Sequence, residues 1–338
     1  MKKQVPINIC GEVIYPGESV SLALRLPELY SCLPAYMPIK VFHGKKSGST
    51  LLVFAALNGN EINGTEIINR LVNLKRIKSL SGTLIAVPVV NVFGLANRSK
   101  FLPGHVDLSI NFPGSATGTH ADRIANLFIT ELFDKADCAI SLETGQLNYS
   151  NLPEVSVNLE QDDCKVIAEK FGAPVICQYD KDPGTLAQYA YETKSKFMTY
   201  MAGEASRFDN KAIKMGVKGI VNIMRHMEMI TEKASLTQQS KPPNFFMEKS
   251  FWVRSPVSGI SSSQIKLGDY VKKNSLLSTI RDPFGSEENY KLNSSRDGII
   301  VGLNNIPLIK EGEALFKVAA FPESKEAETH LKNWDNPS

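Results

Sequence analysis

The chain has 338 residues, of which 43% are hydrophobic, 22% charged and 8% aromatic, and its 38 basic and 35 acidic side chains leave a net charge of +3. That balance supplies no field for nucleic acid, and no apolar run approaches the roughly 18 residues that read as a membrane span. Pro6, Gly11 and Pro16 interrupt the opening residues, so no secretory signal is expected and the location is expected to be cytoplasmic. Cys10, Cys32, Cys138, Cys164 and Cys177 never fall in CxxC spacing and read as reduced, buried thiols, neither a disulfide scaffold nor a zinc cluster.

In chain order, Leu51–Ala56 is a short apolar run, the pattern of a strand buried on both faces. The turn-rich Asn58-Gly-Asn-Glu61 follows, and from Thr65 onward Ile67, Ile68, Leu71 and Leu74 fall at helical spacing. A second apolar strand is expected over Thr83–Val90. After it comes a segment rich in Gly, Pro, Asn and Ser from Asn91 to Gly118, too long for a mere connection. A helix begins near His120, with Ile124, Leu127, Phe128 and Leu132 on one face. Strands at 138–142, 174–179 and 197–202 then alternate with helices at 162–171, 184–194 and 210–230. The alternation predicts an α/β domain over 1–237: a mixed, mostly parallel sheet flanked by helices. Loops at the carboxyl ends of its strands are where a site is expected.

Composition changes near Thr237, and 238–250 reads as a linker. Residues 251–321 hold a near-repeat, Ser255-Pro-Val-Ser-Gly-Ile260 with Lys266-Leu-Gly-Asp269, echoed by Ser295-Arg-Asp-Gly-Ile299 with Lys310-Glu-Gly-Glu313. Two such halves predict a small C-terminal all-β barrel-sandwich domain, similar to biotinyl and lipoyl carriers. The carriers' hairpin-tip lysine has no counterpart in Arg281–Tyr290, so no prosthetic group is expected. Residues 322–338 read as a frayed tail. Gly114–Gly118, ahead of a helix, is either a flexible loop or an anion seat. No GxSxG elbow supports serine catalysis, and of the five histidines His105 and His120 are those to look for in a rebuilt site.

Four marks stand in one order: Leu57-Asn-Gly-Asn-Glu-Ile-Asn-Gly64, Asn91 with Asn97-Arg-Ser-Lys100, Asp107-Leu108 with Phe112-Pro-Gly114, and Gly219-Ile-Val-Asn-Ile-Met-Arg225. Together they resemble the succinylglutamate desuccinylase/aspartoacylase family, related to the zinc carboxypeptidases. The resemblance implies a zinc carboxypeptidase-like fold and hydrolysis of the amide of an N-acyl amino acid with one zinc. It implies a His and a Glu in the first loop and a His in an Asp-Leu-His-Thr strand end as ligands. A Glu near a Glu-x-Gly turn is implied as general base, and an Asn-Arg pair as a hold on the substrate. Matched residue by residue, Asn58 stands at the first His, while Glu61 agrees. Ser141 and Glu143 replace the Asp and His of the strand end, and Met201 replaces the base, with Glu204 nearby. In the implied substrate-binding segment, Ser109 and Ile110 replace the Asn-Arg pair and Lys100 an Arg, with Arg98 beside it. Gly59, Leu108, Pro113, Gly114, Thr144 and Gly203 keep the pattern.

Zinc favours imidazole and thiolate, so Asn58, Glu61 and Glu143 make a poor zinc set. Their oxygens suit a hard divalent cation better, although three ligands are few. Without a metal the carboxylates repel, and Asn58 or a lysine bridging them gives a plain polar network. The thioether of Met201 cannot take a proton from water, and a positioned base is worth roughly 10²–10⁴ in rate. Glu204, three residues on, points to the other face of an extended strand unless a turn at Gly203 redirects it. Ile110 removes a bidentate clamp for a carboxylate. No cofactor is expected, zinc being implied by resemblance and a hard divalent cation being the alternative. The leading expectation is a protein that binds a small acyl-amino-acid-like ligand or a protein partner without hydrolysis, with self-association left open. An active metal-dependent amide hydrolase with a rebuilt site, and an assembly protein using the small β domain, are the alternatives.

Overall fold

The computed structural model describes residues 4–30, 34–231, 244–285, 288–322, 324–332 and 334. The chain opens with a ribbon of β1 (Ile7–Ile9) and β2 (Glu12–Ile14), joined by Cys10 and Gly11, both at positive φ. A two-residue hairpin loop needs that left-handed conformation at both positions to match the twist of its strands. Next come β3 (Ser19–Arg25), β4 (Tyr36–His43) and β5 (Lys46–Ala55). In β4, Met37, Ile39, Val41 and His43 are buried and alternate with more exposed residues. The end of β5, Leu51–Ala55, is wholly buried. Its Leu51, Val53 and Ala55 face one core, and Leu52 and Phe54 the other.

Alternating helices and strands follow: α1 (Ile62–Val72), β6 (Ser81–Val87), α2 (Val92–Ala96), α3 (His120–Glu131), β7 (Cys138–Gly145), β8 (Tyr149–Val157), α4 (Asp162–Phe171), β9 (Val175–Gln178), α5 (Leu186–Thr193), β10 (Phe197–Glu204) and α6 (Asn210–His226). Helices α1, α4 and α6 cover one face of the sheet and α3 and α5 the other. Close packing of α6 rests on two glycines. A Cβ at Gly216 would lie 2.5 Å from the Ile67 side chain, and one at Gly219 would lie 2.4 Å from the Phe171 ring.

The C-terminal strands are β11 (Phe245–Phe246), β12 (Lys249–Arg254), β13 (Gly259–Ser262), β14 (Tyr270–Val271), β15 (Leu276–Arg281), β16 (Tyr290–Asn293), β17 (Gly298–Asn304), β18 (Leu308–Ile309) and β19 (Ala314–Ala320). Strands β16-β15-β13-β18 form one sheet, and β12-β19-β17 continue the large sheet of the molecule. Residues of both pack into one apolar core, including Val253, Leu277, Ile280, Leu292, Ile300 and Phe316. The large sheet runs β12-β19-β17-β8-β10-β7-β5-β6-β4-β3. Strand β8 forks: Tyr149–Asn151 pair with β17, whereas Glu154–Val157 pair with β9.

Several expectations are corrected. The sheet is mixed, as expected, but it is not mostly parallel: β10, β7, β5 and β6 run parallel at its centre, whereas β4 pairs antiparallel with β6 and β3 with β4 on one side, and β8 pairs antiparallel with β10 and β17 with β8 on the other. The reason is β8, which returns from β7 through a short turn and so must reverse. The segment 91–118 carries α2 and a short 3-10 turn at Leu108–Ile110. Of the expected linker, 238–243 lies outside the described residues. Its later part holds β11, which pairs with β9, and the first residues of β12. The expected frayed tail is instead α7 (Ser324–Leu331), which buries Ala327 and Leu331 completely against Phe245 and Phe321. Residues 335–338 lie outside the described set. Cys138, Cys164 and Cys177 are buried and Cys10 half-buried, all unbridged; Cys32 is outside the described residues.

Candidate functional site

The first loop leaves β5 and enters α1 under tight backbone contact. A Cβ on Gly59 would lie 2.1 Å from the carbonyl carbon of Gly94, so no other residue lets the loop lie on α2. Asn91 holds α2 there: its Oδ1 accepts from the Gly94 N–H at 2.7 Å and its Nδ2 donates to the Lys100 carbonyl at 3.2 Å. At Gly64 a Cβ would come within 2.8 Å of Leu142 Cβ, so this glycine seats the start of α1 on β7. These contacts explain why Gly59, Gly64 and Asn91 belong to the motif: each is set by backbone approach or backbone capping, not by reaction chemistry.

Glu61, at the start of α1, is only 4% exposed. Asn58 Nδ2 donates to Glu61 Oε1 at 2.9 Å. That bond orients the amide, because the flipped form would set oxygen against oxygen. Asn58 Oδ1 and Glu61 Oε2 are then left buried without a hydrogen-bond partner among the described residues. On β7, the Ser141 hydroxyl donates to Glu143 Oε1 at 2.7 Å.

Burial and the neighbouring charge of Glu143 push Glu61 well above the usual carboxylate range, against the opposing effects of Asn58, Lys100 and the Thr144 N–H. Burial likewise raises Glu143, opposed by the Ser141 hydroxyl and the charge of Lys100. Both acids are therefore held where their charge is poorly compensated.

Strand register sets a row of side chains across three strands. Met201 of β10 is paired with Glu143 of β7 and with Glu154 of β8, and residues paired across strands share a face. Asn151 Nδ2 donates to the Met201 sulfur at 3.0 Å. Glu154 is 5% exposed, and its Oε1 meets Lys317 Nζ of β19 at 3.5 Å. Its Oε2 is buried without a partner among the described residues. Burial raises the Glu154 pKa, opposed by Lys317.

After Met201 the pairing shifts register, and Gly203 takes φ +75°. The bulge carries Glu204 away from the row. Its Oε1 accepts from the Asn148 N–H at 3.1 Å and lies 3.3 Å from Arg207 Nε, while its Oε2 accepts from Asn305 Nδ2 at 2.7 Å. Glu204 ties the β7–β8 turn to the C-terminal strands and does not stand in for Met201.

The implied substrate-binding residues are dispersed. Lys100 forms an ion pair with Asp107 at 2.7 Å, and Ser109 donates to Asp107 through its backbone N–H at 3.0 Å and its hydroxyl at 2.6 Å. Burial acts to raise Asp107, but the Lys100 and Ser109 hydrogen bonds outweigh it and hold the carboxyl below its ordinary value. Ile110 is 57% exposed, and Arg98 is exposed at positive φ just beyond α2.

The histidines do not rebuild a site. His120 bonds the Pro27 carbonyl at 2.9 Å and stacks edge-on with Phe93. His105 is exposed, with its ring against Phe101. His43 is a satisfied core residue held by Thr83 and the Val5 carbonyl. The N-terminus of α3 is closed by its own capping box of Thr119 and Asp122. A carboxylate of the chain thus takes the place of an outside anion, and neither the flexible loop nor the anion seat expected at Gly114–Gly118 describes it.

Among the described residues no three His, Cys, Asp or Glu side chains gather into a metal-holding group. The donors that do converge offer only oxygen, since the nitrogen of Asn58 is spent on Glu61. That donor set does not fit zinc. Sequence reasoning missed Asn151, Glu154, Lys317 and Asn305. Strand β8 had no counterpart among the expected elements, and Pro153 within it is a residue that weakens a strand signal. The reach of Lys317 to Glu154, over 163 residues, left no local signal.

A family model described as the succinylglutamate desuccinylase/aspartoacylase catalytic domain matches residues 47–227, more than half of the chain. The N-alpha-acetyl-L-2,4-diaminobutyric acid deacetylase of Halomonas elongata is 22% identical over 336 residues, covering 95% of this chain and 98% of that protein. Among solved structures, a succinylglutamate desuccinylase/aspartoacylase from Rhodobacter sphaeroides superposes with a TM-score of 0.80 at 20% identity, covering 90% of this chain and 96% of its own. The product-bound ectoine utilization protein EutE (DoeB) of Ruegeria pomeroyi gives 0.79 at 22% identity, with 89% and 95% covered. At such identities the structural likeness establishes the fold. Taken with the family match, it leads to one conclusion: the chain belongs to the succinylglutamate desuccinylase/aspartoacylase family.

Proposed function

We propose that this protein binds a small ligand in the inherited cleft, or a partner protein, without hydrolysing an N-acyl amino acid. The observation that carries the reading is Met201, a thioether accepting from Asn151 at the centre of the Glu143–Met201–Glu154 row. A base there is worth roughly 10²–10⁴ in rate, and the oxygen-only set of Asn58, Glu61 and Glu143 removes the means of lowering the pKa of a bound water. The test is turnover of N-acyl amino acids by the full chain, read as release of free amine with and without added Zn²⁺. Candidates include N-acetyl-2,4-diaminobutyrate, the substrate in the name of the Halomonas elongata relative, as well as succinylglutamate and N-acetylaspartate. The reading expects rates at the uncatalysed background; sustained turnover overturns it. The triple change Asn58→His, Glu143→His, Met201→Glu is expected to stay inactive, because Ile110 leaves the substrate clamp missing.

The second reading is an active metal-dependent hydrolase with a rebuilt site. One observation favours it: Glu154, in the same row as Met201, keeps an unpartnered carboxylate oxygen. Its pairing with Lys317 and its burial weigh against a role in taking protons from water. We further read 1–237 as the hydrolase-like domain and 251–321 as a barrel-sandwich domain, supported by the shared core of its two sheets. No helix among the described residues is long and apolar enough to cross a membrane, and a cytoplasmic location is the reading we adopt.

A further inference from the structure

We propose that Asn58, Glu61 and Glu143 bind the primary ammonium group of an organic amine. The inference rests on the non-hydrolytic reading and adds the class of ligand. Two buried acceptors, Asn58 Oδ1 and Glu61 Oε2, have no partner among the described residues, and a buried acceptor left unpaired is rare enough to need a cause. The missing group must therefore donate. Of the donors nearby, the Thr144 N–H already acts on the Glu61 carboxyl, Asn58 Nδ2 is engaged with Glu61 Oε1, the Ser141 hydroxyl with Glu143 Oε1, and the Lys100 ammonium with Asp107 at 2.7 Å.

Charge points the same way. The Glu61 and Glu143 carboxyl groups neighbour each other, and the lysine beside them, Lys100, is already paired with Asp107. A ligand that donates and is positively charged satisfies both demands, and its stoichiometry separates the candidates. A hard divalent cation takes six or more oxygens. A primary ammonium has three N–H donors and no acceptor, enough for both orphaned oxygens, Asn58 Oδ1 and Glu61 Oε2, with one left for the neighbouring Glu143.

The test is calorimetric titration of the full chain with butylamine and 1,4-diaminobutane, against 1-butanol, butyrate, and the chlorides of Mg²⁺, Mn²⁺ and Ca²⁺. Saturable binding of the amines at one site per chain is expected, with none for 1-butanol or butyrate. Glu61→Gln and Glu143→Gln should each weaken binding about tenfold or more, the range for losing a charged hydrogen bond. Asn58→Leu, which removes an orphaned acceptor without touching charge, should also weaken it and serves as the second variant if either glutamine form fails to fold. Absence of amine binding, or amine binding indifferent to all three substitutions, overturns the proposal. Preference for a divalent cation, lost in the glutamine variants, overturns it in favour of a metal site. Binding of butyrate or of an acyl amino acid alone overturns it while leaving the non-hydrolytic reading standing, whereas turnover would overturn that reading itself.

Discussion

The frame of the cleft and its reacting positions have parted company. Gly59, Asn91 and Gly114 keep the family pattern, and each answers to a neighbouring backbone. A Cβ on Gly114, for instance, would lie 2.1 Å from the Asp122 carbonyl oxygen. Asn58, Glu143 and Met201, a few ångströms of chain away, have each changed chemical type. Steric constraints on the frame hold whatever the site does, whereas the reacting positions are held only by the reaction. Such a division teaches that retention of a family's glycines certifies its fold and says nothing about its chemistry.

The sharpest way to break the comparison is to disturb the frame. Gly59→Ala should cost about 3 kcal/mol or more, because both sides of the clash are backbone and neither can yield. Denaturant unfolding reads the loss; a change under about 1 kcal/mol would show that the loop relaxes freely. Next in size is the pair linking β8 to β19. Glu154→Leu leaves the half-buried Lys317 uncompensated and should cost about 2 kcal/mol, whereas Glu154→Leu with Lys317→Met should restore most of it. Equal loss in the single and double variants would argue that Glu154 acts by packing alone.

The reacting positions predict the opposite sign. Glu61 and Glu143 have raised pKa values in the folded chain, so folding favours their protonated forms. Their stabilising effect is fully present below the ordinary carboxylate pKa and is lost as pH rises through the raised values. Asp107, held low, contributes stability present above its ordinary value and lost as pH falls through the depressed one, so its window lies at more acid pH. Glu143→Gln should therefore stabilise the chain by about 1 kcal/mol near pH 8 and flatten the decline of melting temperature from pH 5 to pH 8. An unchanged slope would mean that burial does not raise Glu143 in the folded chain. The smallest effect expected is that of Ser141→Ala, about 0.5–1.5 kcal/mol for one lost hydrogen bond to Glu143.

How legible was this in the sequence? The parallel centre was, because Leu51–Ala55 and Cys138–Leu142 are apolar runs that only burial on both faces explains. The nearness of Asn58, Glu61 and Glu143 was legible too, since the loop after β5 and the end of the adjacent parallel strand β7 carry them. The antiparallel flanks were not. Strand β8 was not among the expected elements, and the ladder from β8 to β17 joins residues some 150 positions apart. Glu204 shows a subtler gap: alternation sends it to the far face, but the direction it takes is set by the bulge at Gly203 and by Asn148 and Asn305, partners visible only in three dimensions. Residues 322–338 misled for the reverse reason. A polar composition suggested fraying, yet Ala327 and Leu331 give α7 two fully buried contacts.

The central claim, that the site has lost the chemistry of its family, is tested most directly by the metal content of the chain purified without chelator and without an affinity-metal resin. Elemental analysis should find far less than one zinc per chain, since an amide and two carboxylates do not hold zinc as imidazoles do. Tightly held zinc at about one per chain would contradict the account and would mean that a donor set other than Asn58, Glu61 and Glu143 has kept the metal in place.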